Sequence, residues 1–305
     1  MKIFLAGHKG LVGSAIYRKL IQKNYKNIIT IDKKKLNLLD QNKVLKFFKK
    51  KKPDIVIIAA AKVGGIYSNS MSGADYIYEN LQIQNNLIYS GFKNNVKRLL
   101  FLGSSCIYPK FAKQPIKEEY LLTGKLEETN YPYAVAKIAG VKMCEAFNDQ
   151  YKTNFTCLMP ANSYGPNDNY DLLNSHFFPA LIKKAHECKI KKKKYLKVWG
   201  SGKPLRELIF VDDIADACVF FMNKKTKCSL INIGSGKDMS IKEYAKFLIK
   251  KLDLKVQIKF DKSKPDGVPR KLLDISLAKK YGWRSKISLD KGFEITYKSF
   301  LKNYK

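Results

Sequence analysis

The chain has 305 residues, 45% of them hydrophobic, and its formal net charge at pH 7 is +32. This apolar content suffices for a full hydrophobic core, and the sequence has no run of about 18 apolar residues that would predict a membrane span. So large a positive charge suits nucleic-acid binding. However, the lysines are spread over predicted helix faces and turns without a nucleic-acid-binding module, so we expect neither a nucleic-acid nor a membrane partner.

Six cysteines are scattered through the chain, and none forms a CxxC pair. This spacing is typical of free thiols in a reducing compartment and predicts no metal site. The apolar residues 2–6 predict a strand at the very start of the chain, which leaves no room for a signal peptide. We therefore expect a cytoplasmic protein.

The first strand is followed by a glycine turn and a helix. Gly7, Gly10 and Gly13 are three residues apart, and a helical stripe of apolar residues begins at Leu11. The spacing differs from the GxGxxG fingerprint of dinucleotide-binding proteins but has the same physics. Glycines let the backbone approach a pyrophosphate, and the N-terminus of the helix offers free N–H groups. The pattern therefore favours dinucleotide binding.

The second predicted strand, residues 27–32, ends in Asp32 and is followed by Lys33. In a dinucleotide-binding fold, an acidic residue here usually accepts the ribose hydroxyls of NAD, whereas a nearby base accommodates the 2′-phosphate of NADP. The chain offers both, because Lys33 adjoins Asp32 and Lys9 lies in the glycine turn. We expect NADP(H), and Asp32 leaves NAD(H) as the alternative.

Strands and helices then alternate. Predicted helices cover about residues 40–51, 76–90 and 133–151, and predicted strands cover 55–61, 99–102 and 155–160. This alternation predicts an α/β fold with a doubly wound parallel sheet of the Rossmann type. Ser240 and Glu243 predict a capping box at the start of a later helix, and the C-terminal tail predicts two short helices. We predict an NADP-binding Rossmann domain of residues 1–166 plus about 205–235, and a smaller C-terminal α/β substrate lobe of about 167–204 plus 236–305.

Ser104 and Cys106 follow the fourth predicted strand, while Tyr133 and Lys137 lie four residues apart at the start of a helical pattern. This spacing places Tyr133 and Lys137 on one helix face, where an ammonium group is expected to lower the pKa of a phenol. A serine hydroxyl could hold a carbonyl oxygen while the phenol transfers a proton, as hydride transfer to a carbonyl requires. By itself, however, a YxxxK spacing arises by chance in many helices, and a cysteine at a strand end is most often a core residue.

Longer sequence blocks resemble one family of enzymes. The blocks AGHKGLVGSAI, AAAKVGGI, FLGSSCIYPK, YPYAVAKIAG, NSYGP, NSHFFPAL, VWGSGKPLRE and PDGVPRK are similar to those of extended short-chain dehydrogenase/reductases that act on nucleotide sugars, and among them the GDP-L-fucose synthase family. The resemblance implies an NADPH-dependent enzyme that acts on GDP-4-keto-6-deoxy-D-mannose. Such an enzyme epimerises carbons 3 and 5 and then reduces the ketone at carbon 4 to give GDP-L-fucose.

The resemblance also implies roles for individual residues. Ser104 and Tyr133 would hold the ketone oxygen, Cys106 and His176 would carry protons at the neighbouring carbons, and Lys137 would tune Tyr133 and bind the nicotinamide ribose. The implied cofactor-binding residues are Gly7, Lys9, Gly10, Leu11, Val12, Gly13, Lys33, Asn37, Ala59, Ala61, Tyr133, Lys137, Pro160, Ala161, Asn162, Ser163 and His176. The implied substrate-binding residues are Lys184, Trp199, Arg206 and Asp266, although Trp199 could instead be a core residue and Asp266 could cap a turn.

Two other functions stay open at this point. A related enzyme could act on a different 4-keto nucleotide sugar, of the colitose or heptose type. A non-catalytic nucleotide-sensing or nucleic-acid-binding protein could use the same fold, although such proteins often lose the tyrosine or the lysine of the pair. Finally, the apolar stripes of helices 76–92 and 133–150 exceed what one sheet face can cover, and they predict a homodimer.

Overall fold

Helices alternate with strands in the computed structural model of the chain, which describes residues 1–304. The strands are β1 (Ile3–Ala6), β2 (Ile28–Ile29), β3 (Ile55–Ile58), β4 (Arg98–Leu102), β5 (Phe155–Pro160), β6 (Asn162–Tyr164), β7 (Tyr195–Trp199), β8 (Leu205–Phe210), β9 (Leu230–Ile233), β10 (Asp238–Ser240), β11 (Gln257–Asp261) and β12 (Arg270–Lys271). The helices are α1 (Leu11–Gln22), α2 (Gln41–Lys51), α3 (Ile66–Met71), α4 (Gly73–Lys93), α5 (Tyr131–Tyr151), α6 (Phe177–Ile190), α7 (Val211–Met222), α8 (Ile241–Lys251), α9 (Ser276–Lys280) and α10 (Leu289–Asn303).

The central sheet has six parallel strands in the order β2-β1-β3-β4-β5-β9. Every residue of β1, β3 and β4 is buried, because helices cover both faces of a parallel sheet. α1 packs beside α7, and α4 packs beside α5. The strand order reverses between β1 and β3, and sheets of this kind bind ligands at the carboxyl ends of the strands beside such a reversal. The predicted Rossmann-type doubly wound fold is confirmed.

Some strands and helices have other boundaries than the sequence predicts. β2 is shorter than the predicted residues 27–32, because it is an edge strand that pairs with β1 alone. β3 ends at Ile58, and the alanines that follow line a cleft instead of extending the ladder. β5 has its predicted bounds, and Ser240 and Glu243 form the predicted capping box at the start of α8. In the tail, α9 is short, but α10 has 15 residues.

A second, smaller core lies beyond the central sheet. β8 pairs with β6, β10 and β12, and β7 pairs with β11. Aromatic rings fill this core, with the ring centres of Tyr164 and Tyr244 lying 5.1 and 5.6 Å from that of Phe178. Residues 273–283, which the predicted division assigns to the smaller lobe, contribute Leu273, Ile275, Ala278 and Trp283 to the first core. The division into two domains otherwise stays a prediction.

Among the helices within residues 1–304, none combines the length and the apolar character needed to cross a membrane. Over the same range, no three His, Cys, Asp or Glu side chains are grouped so that they could hold a metal ion.

Candidate active site

The glycine turn connects β1 to α1 at the carboxyl end of the central sheet. Gly7 has a φ of +89°, which glycine adopts without strain, and a Cβ there would lie 2.6 Å from the backbone nitrogen of Ala60. A Cβ on Gly13 would clash with the carbonyl oxygen of Gly7, so the helix packs directly on the turn. α1 therefore begins beside a cleft of about 470 Å³, where the N–H groups of its first turn have no partner within the helix.

This cleft collects many of the predicted cofactor-binding residues. Its lining includes Gly7, Lys9, Gly10, Lys33, Asn37, Ala59 and Ala61. Leu11, Val12 and Gly13 form the first turn of α1 beside it. Pro160, Ala161 and Ser163 lie at the junction of β5 and β6, outside its lining. A glycine turn at a helix N-terminus with basic side chains around it fits the pyrophosphate of a dinucleotide.

Asp32 is paired with cations at the predicted ribose position. Its Oδ1 lies 2.7 Å from the Nζ of Lys9 and 3.4 Å from the Nε2 of His8. The hydrogen bond from Lys9 lowers the pKa of Asp32, so the carboxylate is ionised at neutral pH and Lys9 offsets its charge. This pairing reduces the repulsion that Asp32 would exert on a 2′-phosphate, and Lys33 adds positive charge to the same cleft.

A second cavity, of about 220 Å³, collects the predicted catalytic side chains. Ser104 follows β4, and its hydroxyl oxygen accepts a hydrogen bond from the backbone N–H of Cys106 at 3.4 Å. Tyr133 lies in the first turn of α5, and His176 is the residue immediately before α6. The structure therefore brings four of the five predicted catalytic residues to one cavity.

Lys137 lies one turn beyond Tyr133, but its ammonium group is held elsewhere. Its Nζ donates to the carbonyl oxygen of Leu102 at 2.9 Å and lies 5.9 Å from the centre of the Tyr133 ring. Burial lowers the pKa of Lys137 to about 8 and raises the pKa of Tyr133 well above its usual value. The prediction that Lys137 lowers the pKa of this phenol is therefore wrong for this structure, because the desolvation of the phenolate dominates.

Lys271, in β12, lines the same cavity as Cys106 and His176. Burial raises the pKa of the Cys106 thiol, and the charge of Lys271 opposes this rise. Burial lowers the pKa of His176, and Lys271 lowers it further. His176 is nonetheless exposed to solvent, and it lines the cavity. At neutral pH the cavity therefore holds a protonated thiol and a neutral imidazole.

The predicted substrate-binding residues belong to the second sheet and its loops. Arg206 donates to two backbone carbonyl oxygens at 2.9 and 3.1 Å, and burial lowers its pKa to about 10. Trp199 lines the cavity. Lys184 does not line it, but its Nζ lies 4.6 Å from the centre of the Trp199 ring. Both carboxylate oxygens of Asp266 accept hydrogen bonds from Ser201 at 2.7 Å. This geometry is that of the turn-capping alternative, but Asp266 and Arg206 also line the cavity, so their role in substrate binding stays a prediction.

The sequence interpretation missed two charged residues of this cavity, Lys271 and Glu127. Glu127 is 6% exposed, and its Oε2 lies 3.1 Å from the Nζ of Lys110. Lys271 is one of 58 basic residues, and its only sequence signal is its place in the PDGVPRK block. Burial distinguishes both residues from surface charges, and a single sequence does not reveal burial at such positions.

Comparison with known proteins identifies the family. The model of the NAD dependent epimerase/dehydratase family matches residues 3–234. The chain belongs to this family. The GDP-L-fucose synthase of Sinorhizobium fredii is 51% identical over 99% of this chain and 96% of its own length. The family resemblance predicted from the sequence blocks is confirmed.

Two further relatives of this chain are named for other nucleotide sugars. The GDP-L-colitose synthase of Yersinia pseudotuberculosis is 40% identical over 99% of this chain and 98% of its own length. The solved structure of a GDP-mannoheptose C4 reductase from Campylobacter jejuni with NADP bound is 39% identical, has a TM-score of 0.90 and covers 98% of both chains. The fold is therefore shared across enzymes named for different nucleotide sugars.

Proposed function

We propose that the chain converts GDP-4-keto-6-deoxy-D-mannose into GDP-L-fucose, by epimerising carbons 3 and 5 and reducing carbon 4 with NADPH. The observation that carries this proposal is the convergence of Ser104, Cys106, Tyr133 and His176 on one cavity. The name of the relative that is 51% identical supports the choice of sugar.

The epimerisation half of the reaction requires proton transfer at two carbons. The ketone at carbon 4 acidifies carbons 3 and 5, and inversion removes a proton from one face and returns one to the other. Cys106 and His176 provide a thiol and an imidazole in the same cavity, and both can transfer protons near neutral pH. Ser104 and Tyr133 hold the oxygen on which negative charge develops, as donors do in an oxyanion hole.

The reduction half requires a proton donor at the oxygen of carbon 4. When bound, NADPH supplies the hydride that adds to carbon 4. Because burial raises the pKa of Tyr133, its phenol is protonated at neutral pH and can give a proton to that oxygen. Lys137, with a pKa of about 8, is positively charged at neutral pH, and we assign it to binding the nicotinamide ribose and not to ionising Tyr133.

NADP(H) fits the residues of the first cleft. The glycine turn and the N-terminus of α1 hold the pyrophosphate. Lys9 and Lys33 provide positive charge for a 2′-phosphate, and Lys9 also offsets the charge of Asp32. The NADP bound to the Campylobacter jejuni reductase supports the same choice of cofactor.

A direct assay tests this function. Purified protein, NADPH and GDP-4-keto-6-deoxy-D-mannose should give oxidation of the nicotinamide and a product that co-elutes with GDP-L-fucose. Consumption of NADPH with a product that retains the configuration of carbons 3 and 5 would refute the epimerase half. No consumption of NADPH would refute the whole proposal.

The second candidate function is that of a related enzyme that reduces carbon 4 of a different 4-keto nucleotide sugar, of the colitose or heptose type, and epimerises fewer carbons. The names of the two relatives at 40% and 39% identity favour it as the alternative. Parallel assays with the 3-deoxy keto sugar and the keto heptose would decide. A kcat/KM on either that exceeds the value for GDP-4-keto-6-deoxy-D-mannose would replace the first proposal.

We further propose that the protein is a homodimer in the cytoplasm. α4 and α5 lie side by side, and their outer surface exposes Tyr78 by 63% and Tyr151 by 49%. The five buried cysteines and exposed Cys228 are all free, which suits a reducing compartment. Light scattering should give a dimeric mass that Tyr78→Glu lowers, whereas Tyr17→Glu, at an exposed tyrosine of α1, should not lower it. A monomeric wild-type mass would contradict the dimer.

A further inference from the structure

One side of the catalytic cavity carries polar atoms that the protein does not satisfy. The Oδ1 of Asn69, the Oδ1 of Asn130 and the Oγ of Ser175 are buried, and within residues 1–304 none of them has a hydrogen-bond partner. All three residues line the cavity that contains Ser104 and Cys106. Buried polar atoms are almost always hydrogen-bonded in folded proteins, so three unsatisfied atoms in one cavity need an explanation.

The orientation of Asn69 is fixed by its own hydrogen bonds. Its Nδ2 donates to the carbonyl oxygens of Gly64 and Gly65 at 2.9 and 3.0 Å. Only the amide nitrogen can donate to two carbonyl oxygens, so the Oδ1 must be the atom left over. Asn69 is 5% exposed and lines the cavity, and its Oδ1 is a buried acceptor held in a fixed orientation.

The three residues belong to segments that pack against one another. α3, which contains Asn69, contacts the 3₁₀ turn Glu128–Asn130. Gly65 donates its N–H to the carbonyl oxygen of Asn174 at 2.8 Å, and a Cβ on Gly65 would collide with the carbonyl oxygen of Ser175. The three residues therefore lie on neighbouring segments that line the cavity, and we call them the polar wall (Asn69, Asn130 and Ser175).

The chemistry of the polar wall defines the group that can satisfy it. An amide Oδ1 only accepts hydrogen bonds, so Asn69, whose orientation is fixed, needs a donor, and ionised phosphate oxygens offer none. Hydroxyl groups of a sugar are donors of suitable size. Asn130 lies three residues before Tyr133, and Ser175 adjoins His176, so the polar wall lies beside the reacting end of the cavity.

We propose that Asn69, Asn130 and Ser175 recognise the hydroxyl groups of the hexose and thereby determine which nucleotide sugar is accepted. This inference rests on the proposed function, since that function places a nucleotide hexose in the cavity. A site built to hydrogen-bond a substrate hydroxyl rejects an analogue that lacks it, because the buried groups of the site then stay unpaired.

Ser175→Ala and Asn130→Ala provide a clean test. Neither variant removes a side-chain hydrogen bond found within residues 1–304, and Asn130 does not cap α5 through its side chain. Both variants delete an unsatisfied buried atom, so the thermal unfolding midpoint should stay the same or rise. A matched control is Ser70→Ala, which removes a hydroxyl from the exposed side of α3, where it donates to Tyr67.

Calorimetric binding of GDP-mannose and of GDP to the NADP-loaded protein supplies the readout. Each variant should weaken GDP-mannose binding about two- to tenfold, the effect of one hydrogen bond, and should leave GDP binding unchanged. The Ser70→Ala control should change neither affinity. Equal losses for GDP and GDP-mannose, or no loss for either ligand, would overturn the inference.

The binding experiment separates this inference from the proposed function. It involves no chemistry, so failure of the wild-type protein to turn over the keto sugar would refute the proposed function without changing the ratio of the two affinities. Conversely, normal turnover with unchanged affinities in both variants would refute the polar wall and leave the proposed function intact.

Discussion

Replacing Tyr133 with phenylalanine removes the proposed proton donor with little other change. The ring of Tyr133 packs edge-on against Tyr76, with ring centres 6.3 Å apart, and phenylalanine keeps this contact. We therefore expect the free energy of unfolding to change by less than about 1 kcal/mol, the usual limit for a substitution that preserves packing. Binding of NADP should also stay within about threefold of wild type, because the glycine turn is untouched.

The expected loss in kcat follows from the protonation state of the phenol. Burial keeps Tyr133 protonated at neutral pH, so in wild type essentially every molecule carries the donated proton. Loss of a positioned general acid typically costs 10²- to 10⁴-fold, or about 3–5 kcal/mol in the barrier. NADPH oxidation with the keto sugar measures this loss. Tyr76→Phe is the matched control, because its hydroxyl contacts Ser68 Oγ at 2.8 Å outside the cavity lining.

A Tyr133→Phe variant that keeps more than a tenth of the wild-type kcat while binding NADP normally would refute the reasoning. The control variant should keep kcat within about threefold. If both variants lost activity equally, the effect would belong to the packing of α4 against α5 and not to proton transfer.

Three further substitutions test the surrounding chemistry. Cys106→Ser should slow the exchange of solvent deuterium into carbons 3 and 5 more than it slows reduction, and unaltered exchange would make this thiol a bystander. Lys271→Met should raise the pKa values of both Cys106 and His176, because it removes a positive charge that lowers them. Alkylation of the Cys106 thiol should then need a higher pH. An unshifted pH profile of alkylation would contradict the proximity of Lys271 to Cys106. Burial raises the pKa of Glu207 from 4.5 to about 7, so the folded state holds a proton that the unfolded state releases between these values. Stability should therefore fall as the pH rises from about 4.5 to 7, by about 3 kcal/mol at about 1.4 kcal/mol per unit. Glu207→Gln should reduce the pH dependence of stability measured by thermal unfolding. An unchanged pH dependence would show that Glu207 is not its source.

Local sequence signals were enough for the parts of the fold that local physics determines. The glycine turn was predictable because only glycine fits the positive φ at Gly7 and the close contact at Gly13. The capping box of α8 was predictable because Ser240 and Glu243 satisfy each other's backbone groups. Ser104 and Tyr133 converge because Ser104 follows a parallel strand and Tyr133 lies in the first turn of a helix, and both positions lie at the carboxyl edge of the sheet.

The environment of a side chain was not predictable in the same way. Sequence spacing placed Lys137 near Tyr133, but it could not show that the carbonyl oxygen of Leu102 accepts a hydrogen bond from the ammonium group. Nor could sequence spacing show that desolvation would dominate the pKa of the Tyr133 phenol. Asn69 and Asn130 carry no motif of their own, and only the three-dimensional structure reveals that polar atoms of these side chains lack partners. The balance between desolvation and neighbouring charges at a side chain depends on contacts with residues far apart in the sequence.

The same distinction explains why the net charge of +32 says so little about function. Five lysine and arginine residues have a pKa that burial lowers, and they are Arg98, Lys137, Lys184, Arg206 and Lys271. Arg98 is structural, since it donates to the carbonyl oxygens of two residues near the end of α7 at 2.8 Å. The other four line the catalytic cavity or contact a residue close to it. A buried cation carries a desolvation cost that a surface lysine does not, so the fold holds only a few positive charges beside the catalytic cavity, while Lys9 and Lys33 serve the cofactor cleft.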